Sequence, residues 1–198
     1  MYHEIAENMT TRFLEITGET EGKEVYVYGA ELLISSLVEI VIVLAMSIFF
    51  GYFLETVIFL LFFCTLRSKA GGIHAPNYLL CTLIFSSIYL IFCLWLRPIK
   101  LIYQVIFIAC SSVAIFVLAP VEDRNKKLGE KRKKRLKTSS RLICIAEIIV
   151  YVLMLMSGVS RQISTMISLS FLTAGVFVLL GHLKNKLEDR RLLLSGEK

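Results

Sequence analysis

The sequence lacks the residue patterns that bind metals, form redox centres or build disulfide frameworks. No CxxC pair occurs among its five cysteines, and only three histidines are present in 198 residues. Such sites need clustered ligands, so no metal or other cofactor is expected. A cysteine within an apolar segment is usually a small buried apolar residue. That interpretation is favoured for four of the five: Cys64, Cys93, Cys110 and Cys144.

The first 30 residues lack an uninterrupted apolar core, because glutamates recur through them, and no signal peptide is expected there. Within 3–16, however, apolar residues recur at spacings of three and four, and these are Ile5, Met9, Phe13 and Ile16. This spacing predicts one face of an amphipathic helix. The helix could lie on a membrane surface or pack on a helical bundle, and the pattern does not distinguish the two.

Apolar residues are abundant and concentrated in blocks. They make up 56% of the chain, and the mean hydropathy is +0.70, whereas soluble domains are about 45–50% apolar. A membrane helix needs about 20 such residues. The pattern predicts an all-α integral membrane protein with about six hydrophobic segments in one bundle: 32–50, 52–66, 78–96, 101–119, 142–157 and 163–183. We expect a single membrane domain over 1–198, with an N-terminal segment 1–30, a helical bundle 31–183 and a tail 184–198.

The first two hydrophobic segments are nearly continuous. As one helix, residues 32–66 would be about 52 Å long, too long for a hydrocarbon core of about 30 Å. The chain must therefore bend, and Gly51 is the predicted place. Both halves could span the bilayer, or they could form a shallow hairpin.

Basic residues predict the orientation. Ten Lys and Arg residues lie within 122–141, which places that segment in the cytoplasm by the positive-inside rule. The basic tail after residue 183 follows two spans later, and residues 67–77 precede by two spans, so both should share that side. The net charge of +6 is thus attributed to topology and to the lipid bilayer, with no nucleic-acid partner expected.

The segment from Arg67 to Cys81 carries the candidate chemistry, because His74 precedes Cys81 by seven residues. Pro76 favours a helix start nearby and leaves His74 in the preceding loop. Gly71 and Gly72 allow that loop to fold back. A thiol near a helix N-terminus is a good nucleophile when a base removes its proton. From spacing alone, packing roles for both side chains remain the commoner alternative.

Two motifs resemble the accessory gene regulator B (AgrB) family of quorum-sensing systems in Gram-positive bacteria. The first is Arg67, then Gly71-Gly72-x-His74-Ala75, then Cys81. The second is Ala119-Pro120-Val121-Glu122, followed by Asn125-Lys126-Lys127-Leu128. Chain length, segment number and the basic segment are also similar to the family, so the resemblance covers nearly the whole chain.

The resemblance implies a membrane cysteine endopeptidase that cuts an AgrD-like propeptide and helps form a cyclic thiolactone or lactone signal. Cys81 and His74 occupy the positions of the family's catalytic pair, and the loop that carries His74 is expected on the cytoplasmic side of the cell membrane. Arg67 and Gly72 match positions important for activity, and we expect Arg67 to anchor a substrate carboxylate. The resemblance also implies a homodimer, which nothing in these residues shows.

Acidic residues within the apolar segments are the other candidates, because charges are rare in membranes. These are Glu39, Glu55 and Glu147. Glu55 is nearest in sequence to His74 and is the candidate for a third residue that orients it; polar packing in the bundle is the alternative. A chain of six spans with such acids also permits a non-enzymatic transporter or membrane adaptor.

Overall fold

The structure is a computed structural model that describes residues 2–17, 23–72, 78–94, 98–121 and 129–195. Seven α-helices and no strand occur among these residues, which confirms the predicted all-α class. The helices are α1 (Tyr2–Thr17), α2 (Lys23–Phe50), α3 (Phe53–Ala70), α4 (Tyr78–Leu94), α5 (Leu101–Leu118), α6 (Glu130–Met156) and α7 (Arg161–Ser195).

The helices have the length and composition of a membrane protein. Four segments are long and apolar enough to cross a bilayer: Gly29–Phe50, Leu101–Leu118, Glu130–Met156 and Arg161–Arg191. The apolar helix Leu79–Leu94 is shorter. In α3, the acid Glu55 and the cations Arg67 and Lys69 interrupt the apolar run. Each of the six predicted hydrophobic segments thus contains an α-helix, but only four of these described helices are long and apolar enough to span a bilayer.

Two helices continue well beyond their predicted ends. The basic residues 130–141 form the first three turns of α6, where the sequence suggested a loop, and α7 continues through the predicted tail to Ser195. Lys, Arg, Leu and Glu are good helix formers, and no Gly or Pro interrupts either extension. Hydrophobicity predicts the parts of α6 and α7 that cross the membrane. Helix propensity explains why both helices continue into the charged residues beyond those parts.

The predicted bend at Gly51 and the predicted N-terminal helix are both present. α2 ends at Phe50, Gly51 has a φ of 75°, and α3 begins at Phe53. The helix predicted over 3–16 is α1.

The chain divides into two compact units, and the first contains α1, α2 and α4. α2 packs against both other helices. α1 buries Ala6 and Thr10, two small residues, while Ile5, Met9, Phe13 and Ile16 remain exposed. Of this stripe, Phe13 contacts the Tyr26 ring of α2 at a centroid distance of 6.0 Å. The exposure of the stripe favours lipid contact for it.

The second unit contains α3, α5, α6 and α7, with α7 at its centre. Contacts along the helices fix their directions. Gln104 and Ser111 of α5 meet Thr165 and Gly175 of α7 respectively, so these two helices run the same way. α6 runs in the opposite direction, because Cys144 contacts Ser112, and Tyr151, further along α6, contacts the earlier residue Gln104.

A buried hydrogen-bond network joins three helices of the second unit. The Gln104 amide donates to the Thr165 hydroxyl at 3.0 Å and to the Ile99 carbonyl at 2.9 Å. The Tyr151 hydroxyl donates to the Gln104 carbonyl oxygen at 2.8 Å. Gln104 is fully buried and Tyr151 nearly so. Buried polar groups are costly unless they are paired, so this network fixes the register of α5, α6 and α7.

Removing the Tyr151 hydroxyl should destabilise the protein, because the Gln104 carbonyl oxygen would remain buried without its donor. We expect Tyr151→Phe to lower the free energy of unfolding by about 1–3 kcal/mol. Unfolding of each variant in detergent measures this free energy. Tyr103→Phe is the matched control, since Tyr103 is 52% exposed. Equal stabilities for the two variants would contradict the role of the network.

Candidate functional site

The two motifs singled out in the sequence meet at one end of the second unit. The Val121 N–H donates to the Ala70 carbonyl at 2.9 Å, and the Gly72 N–H donates to the Val121 carbonyl at 3.4 Å. Gly71 and Val121 thereby form an isolated parallel bridge. The segment leaving α3 and the segment leaving α5 consequently begin at the same end of the unit.

Arg67 holds the turn that follows α3. Its Nη1 donates to the Gly71 carbonyl at 2.8 Å. Its guanidinium carbon lies 4.9 Å from the centroid of the Phe177 ring on α7, a cation–π geometry. The Gly71 N–H in turn donates to the Arg67 carbonyl at 3.1 Å. Arg67 thus binds its own chain's backbone here, and the predicted anchoring of a substrate carboxylate stays a prediction.

Both glycines of the motif are required by this geometry. Gly71 and Gly72 have φ values of 70° and 128°, which residues with a side chain rarely adopt. A Cβ on Gly71 would overlap the Val121 carbonyl oxygen. A Cβ on Gly72 would overlap Arg67 Nη1 and would lie 2.8 Å from the Phe177 carbonyl oxygen. The glycine pair therefore lets the chain pass in close contact with Val121, which follows α5, and with Phe177 of α7.

Of the two candidate catalytic residues, Cys81 lies among the described residues. Cys81 is the fourth residue of α4, in its first turn, and is half-buried. Its thiol therefore lies near a helix N-terminus, as the sequence predicts. His74 and Pro76 lie outside the described residues. The predicted pairing of Cys81 with His74 stays a prediction.

Glu55 lies at the other end of α3 from the motif. Fifteen residues separate it from Ala70, which corresponds to about 22 Å along a helix. The segment that carries His74 follows Ala70 in the sequence, and the predicted role of Glu55 in orienting His74 stays a prediction.

A polar contact inside the second unit involves the buried acid Glu147. The Thr65 hydroxyl of α3 donates to Glu147 Oε1, and the Thr65 hydroxyl also contacts the Leu61 carbonyl at 2.7 Å. Among the described residues, Glu147 Oε2 is buried without a hydrogen-bond partner. One turn earlier on α6, Cys144 contacts the Ser112 hydroxyl at 3.5 Å. Glu147 of α6 thus contacts α3 through Thr65, which agrees with the alternative of polar packing in the bundle.

The remaining cysteines divide into two groups. Cys93 and Cys144 are buried, as expected, whereas Cys64 and Cys110 are exposed, so the expectation of burial is wrong for those two. The reason is the solvent: an apolar side chain on a membrane helix can face lipid instead of a protein core.

Sequence reasoning missed Phe177 entirely and gave Val121 no role. Phe177 lies in the apolar run that forms α7 and looks like any other core residue. Only the packing of α7 against the end of α3 distinguishes it. Val121 belongs to the second motif, but its contact uses backbone atoms. Such a contact does not require a particular side chain, so the sequence does not indicate it.

Comparisons with known proteins agree with the two motifs. The family described as accessory gene regulator B matches residues 2–180. The chain is 31% identical over 181 residues to AgrB-like protein 2 of Clostridium perfringens (strain 13), covering 84% of this chain and 83% of that protein. It is 29% identical over 136 residues to an AgrB-like protein of Clostridium perfringens (strain SM101), covering 64% of each chain. No solved structure matches significantly.

A methyl group on Gly72 should disrupt the turn, because it conflicts with Arg67 and with the backbone of α7. We expect Gly72→Ala to lower the free energy of unfolding by roughly 1–3 kcal/mol from backbone strain alone. Unfolding in detergent measures the loss. Gly129→Ala is the control, since no atom of the residues that the structure describes lies within 4 Å of a Cβ there. If Gly72→Ala is as stable as Gly129→Ala, the described packing at Gly72 is wrong.

Proposed function

This chain belongs to the accessory gene regulator B family, whose members take part in accessory gene regulator quorum sensing, and on that premise we propose that it is a membrane cysteine endopeptidase. Its substrate would be an AgrD-like propeptide, which it would cut and help convert into a cyclic thiolactone or lactone. The observation that carries the proposal is the tight packing of Arg67, Gly71 and Gly72, the motif residues that precede His74.

That packing supports catalysis because it constrains the approach to His74. His74 follows Gly72 by two residues, so its Cα lies at most about 7 Å from the Gly72 Cα. A residue that must remove a proton from a thiol has to be held within hydrogen-bond reach of the sulfur. A glycine turn fixed on three helices is a suitable support for such a base.

In the proposed first step, His74 takes the proton of Cys81 and the Sγ thiolate attacks a peptide carbonyl carbon of the precursor. The carbon–sulfur bond forms, the peptide carbon–nitrogen bond breaks, and His74 returns the proton to the departing amine. The acidic C-terminal part of the precursor leaves. The N-terminal part remains as a thioester on Cys81.

In the second step, a cysteine thiol or serine hydroxyl of the bound precursor attacks the thioester. His74 accepts the proton of this nucleophile and delivers it to the Cys81 sulfur as the ring closes. Exchange of one thioester for another is near balance, so hydrolysis must be avoided and the nucleophile held close. Cys81 is half-buried in the first turn of an apolar helix, which supports a site that limits the access of water.

We propose that the catalytic loop faces the cytoplasm. Gly72 and Val121, the last described residues before positions 73–77 and 122–128, are hydrogen-bonded to each other at one end of the second unit. The basic first turns of α6 begin at that end, because Arg141 Nη2 donates to the Phe116 carbonyl near the end of α5 at 2.8 Å. By the positive-inside rule, this end is cytoplasmic.

A non-enzymatic transporter or adaptor is the rival function. Buried polar groups such as Glu147 and Gln104 would serve it equally well. The two functions differ at Cys81, since a transporter does not need that thiol.

The proposed thioester should be trapped by a precursor whose ring-forming Cys or Ser is changed to Ala. We expect this precursor to lose its C-terminal part, because cleavage needs only Cys81 and His74. Its N-terminal part should stay bound to the enzyme until hydroxylamine releases it, because thioesters react with that reagent and amides do not. Intact-mass analysis measures the adduct.

Matched variants define the controls for this experiment. Cys81→Ala should give neither cleavage nor adduct, and His74→Ala should strongly reduce both. Cys64→Ala and Cys110→Ala replace exposed cysteines and should behave as the wild type. Full cleavage by Cys81→Ala would favour the transporter or adaptor. Cleavage without any adduct would leave an endopeptidase that does not cyclise its product.

The proposed orientation predicts which side a membrane-impermeant thiol reagent can reach. In a cysteine-free chain, a cysteine at position 69 or 133 should be labelled only after the cells are opened. A cysteine at position 158, in the turn between α6 and α7, should be labelled in intact cells. Mass-tag labelling measures this, and labelling of position 69 from outside would overturn the orientation.

A further inference from the structure

One residue of α7, Phe177, contacts both Arg67 and Gly72, the motif residues that precede His74. The Phe177 ring lies under the Arg67 guanidinium at 4.9 Å. The Phe177 carbonyl oxygen lies so close to Gly72 that a Cβ there would be 2.8 Å away. The same residue thus contacts Arg67 with its side chain and Gly72 with its backbone.

The Phe177 ring is itself held in place. Phe63, on α3, meets it edge to face with a centroid distance of 5.9 Å, and Phe59 stacks on Phe63 at 5.9 Å. Phe59, Phe63 and Phe177 are all buried. Arg67 lies one turn after Phe63 on the same helix. Consecutive turns of α3 therefore contact the Phe177 ring, first through Phe63 and then through Arg67.

The contacts depend on one another. Arg67 Nη1 donates to the Gly71 carbonyl while its guanidinium lies over the Phe177 ring, and a side chain on Gly72 would occupy the place of that nitrogen. An aliphatic residue at 177 would keep the burial but would offer no electrostatic attraction to the cation. The guanidinium would then lose the aromatic surface that orients its N–H groups toward the Gly71 carbonyl.

The geometry points to Phe177 as a positioning residue for the catalytic loop: its ring orients Arg67, and Arg67 fixes the turn from which His74 departs. This inference rests on the proposed role of His74 as the base for Cys81. Phe177 would not touch the substrate. It would act on the reaction only through Arg67 and the loop.

The rate at which iodoacetamide alkylates Cys81 tests this without any substrate. The chain used carries Ala at the other four cysteines: Cys64, Cys93, Cys110 and Cys144. Near pH 7 the rate depends on a base that removes the thiol proton, whereas near pH 10 a thiol ionises unaided. We expect Phe177→Leu to slow alkylation roughly tenfold near pH 7, in the range of cation–π energies, and to leave the rate near pH 10 unchanged.

Three further variants separate positioning from packing. Phe171→Leu replaces another buried phenylalanine of α7 by the same residue and should leave the rate near pH 7 unchanged. Phe177→Tyr keeps an aromatic face for Arg67 and should largely restore it. In the pair Arg67→Met and Phe177→Leu, the double variant should be no slower than Arg67→Met alone, because both act through one contact.

The outcomes are distinguishable from those that test the proposed function. If His74→Ala does not slow alkylation near pH 7, the proposed base is wrong whatever Phe177 does. If His74→Ala slows it and Phe177→Leu behaves like Phe171→Leu, the inference about Phe177 is overturned. Should Phe177→Leu fail to fold, Arg67→Lys removes the planar guanidinium but keeps the charge. An unchanged rate for Arg67→Lys would overturn the inference equally.

Discussion

The backbone hydrogen bonds between Ala70, Gly72 and Val121 are the constraint on which the candidate site depends. They join the ends of α3 and α5, which are separated along the chain by the whole of α4. With these ends joined, Arg67 can reach Gly71, and the turn can lie against α7. Without them, each helix would still form, but nothing would require the two motifs of the sequence to meet.

Polar side chains inside the second unit complement this backbone pairing. Lipid is as apolar as leucine, so helices in a bilayer gain little from burying apolar surface against one another. Small residues and hydrogen bonds then determine how they pack. Gly175 approaches Ser111 so closely that a Cβ there would lie 2.7 Å from the serine Cβ. Gln104, Tyr151 and Thr165 fix the far end of the same helices.

Most of the fold could be predicted from hydrophobic blocks and from Gly51. The ends of α6 and α7 could not, because hydropathy measures the solvent that a residue prefers, whereas Lys131 or Arg190 is helical for reasons of backbone propensity. In the site, sequence motifs identified Arg67, Gly71 and Gly72, since each needs a particular residue type. Phe177 escaped because many apolar residues can fill a core, and its role arises from contacts with a distant part of the chain.

The basic extension of α6 has a mechanical consequence. Lys131, Arg132, Lys133, Lys134 and Arg135 are consecutive and exposed, so their charges point around the whole circumference of the helix. Such a helix has no apolar side on which to lie flat along a bilayer, and it cannot slide inward without dragging ammonium and guanidinium groups into hydrocarbon. The basic end of α6 therefore limits how deeply this helix can move into the bilayer. Through the bond from Arg141 to Phe116, α5 is held at the same depth.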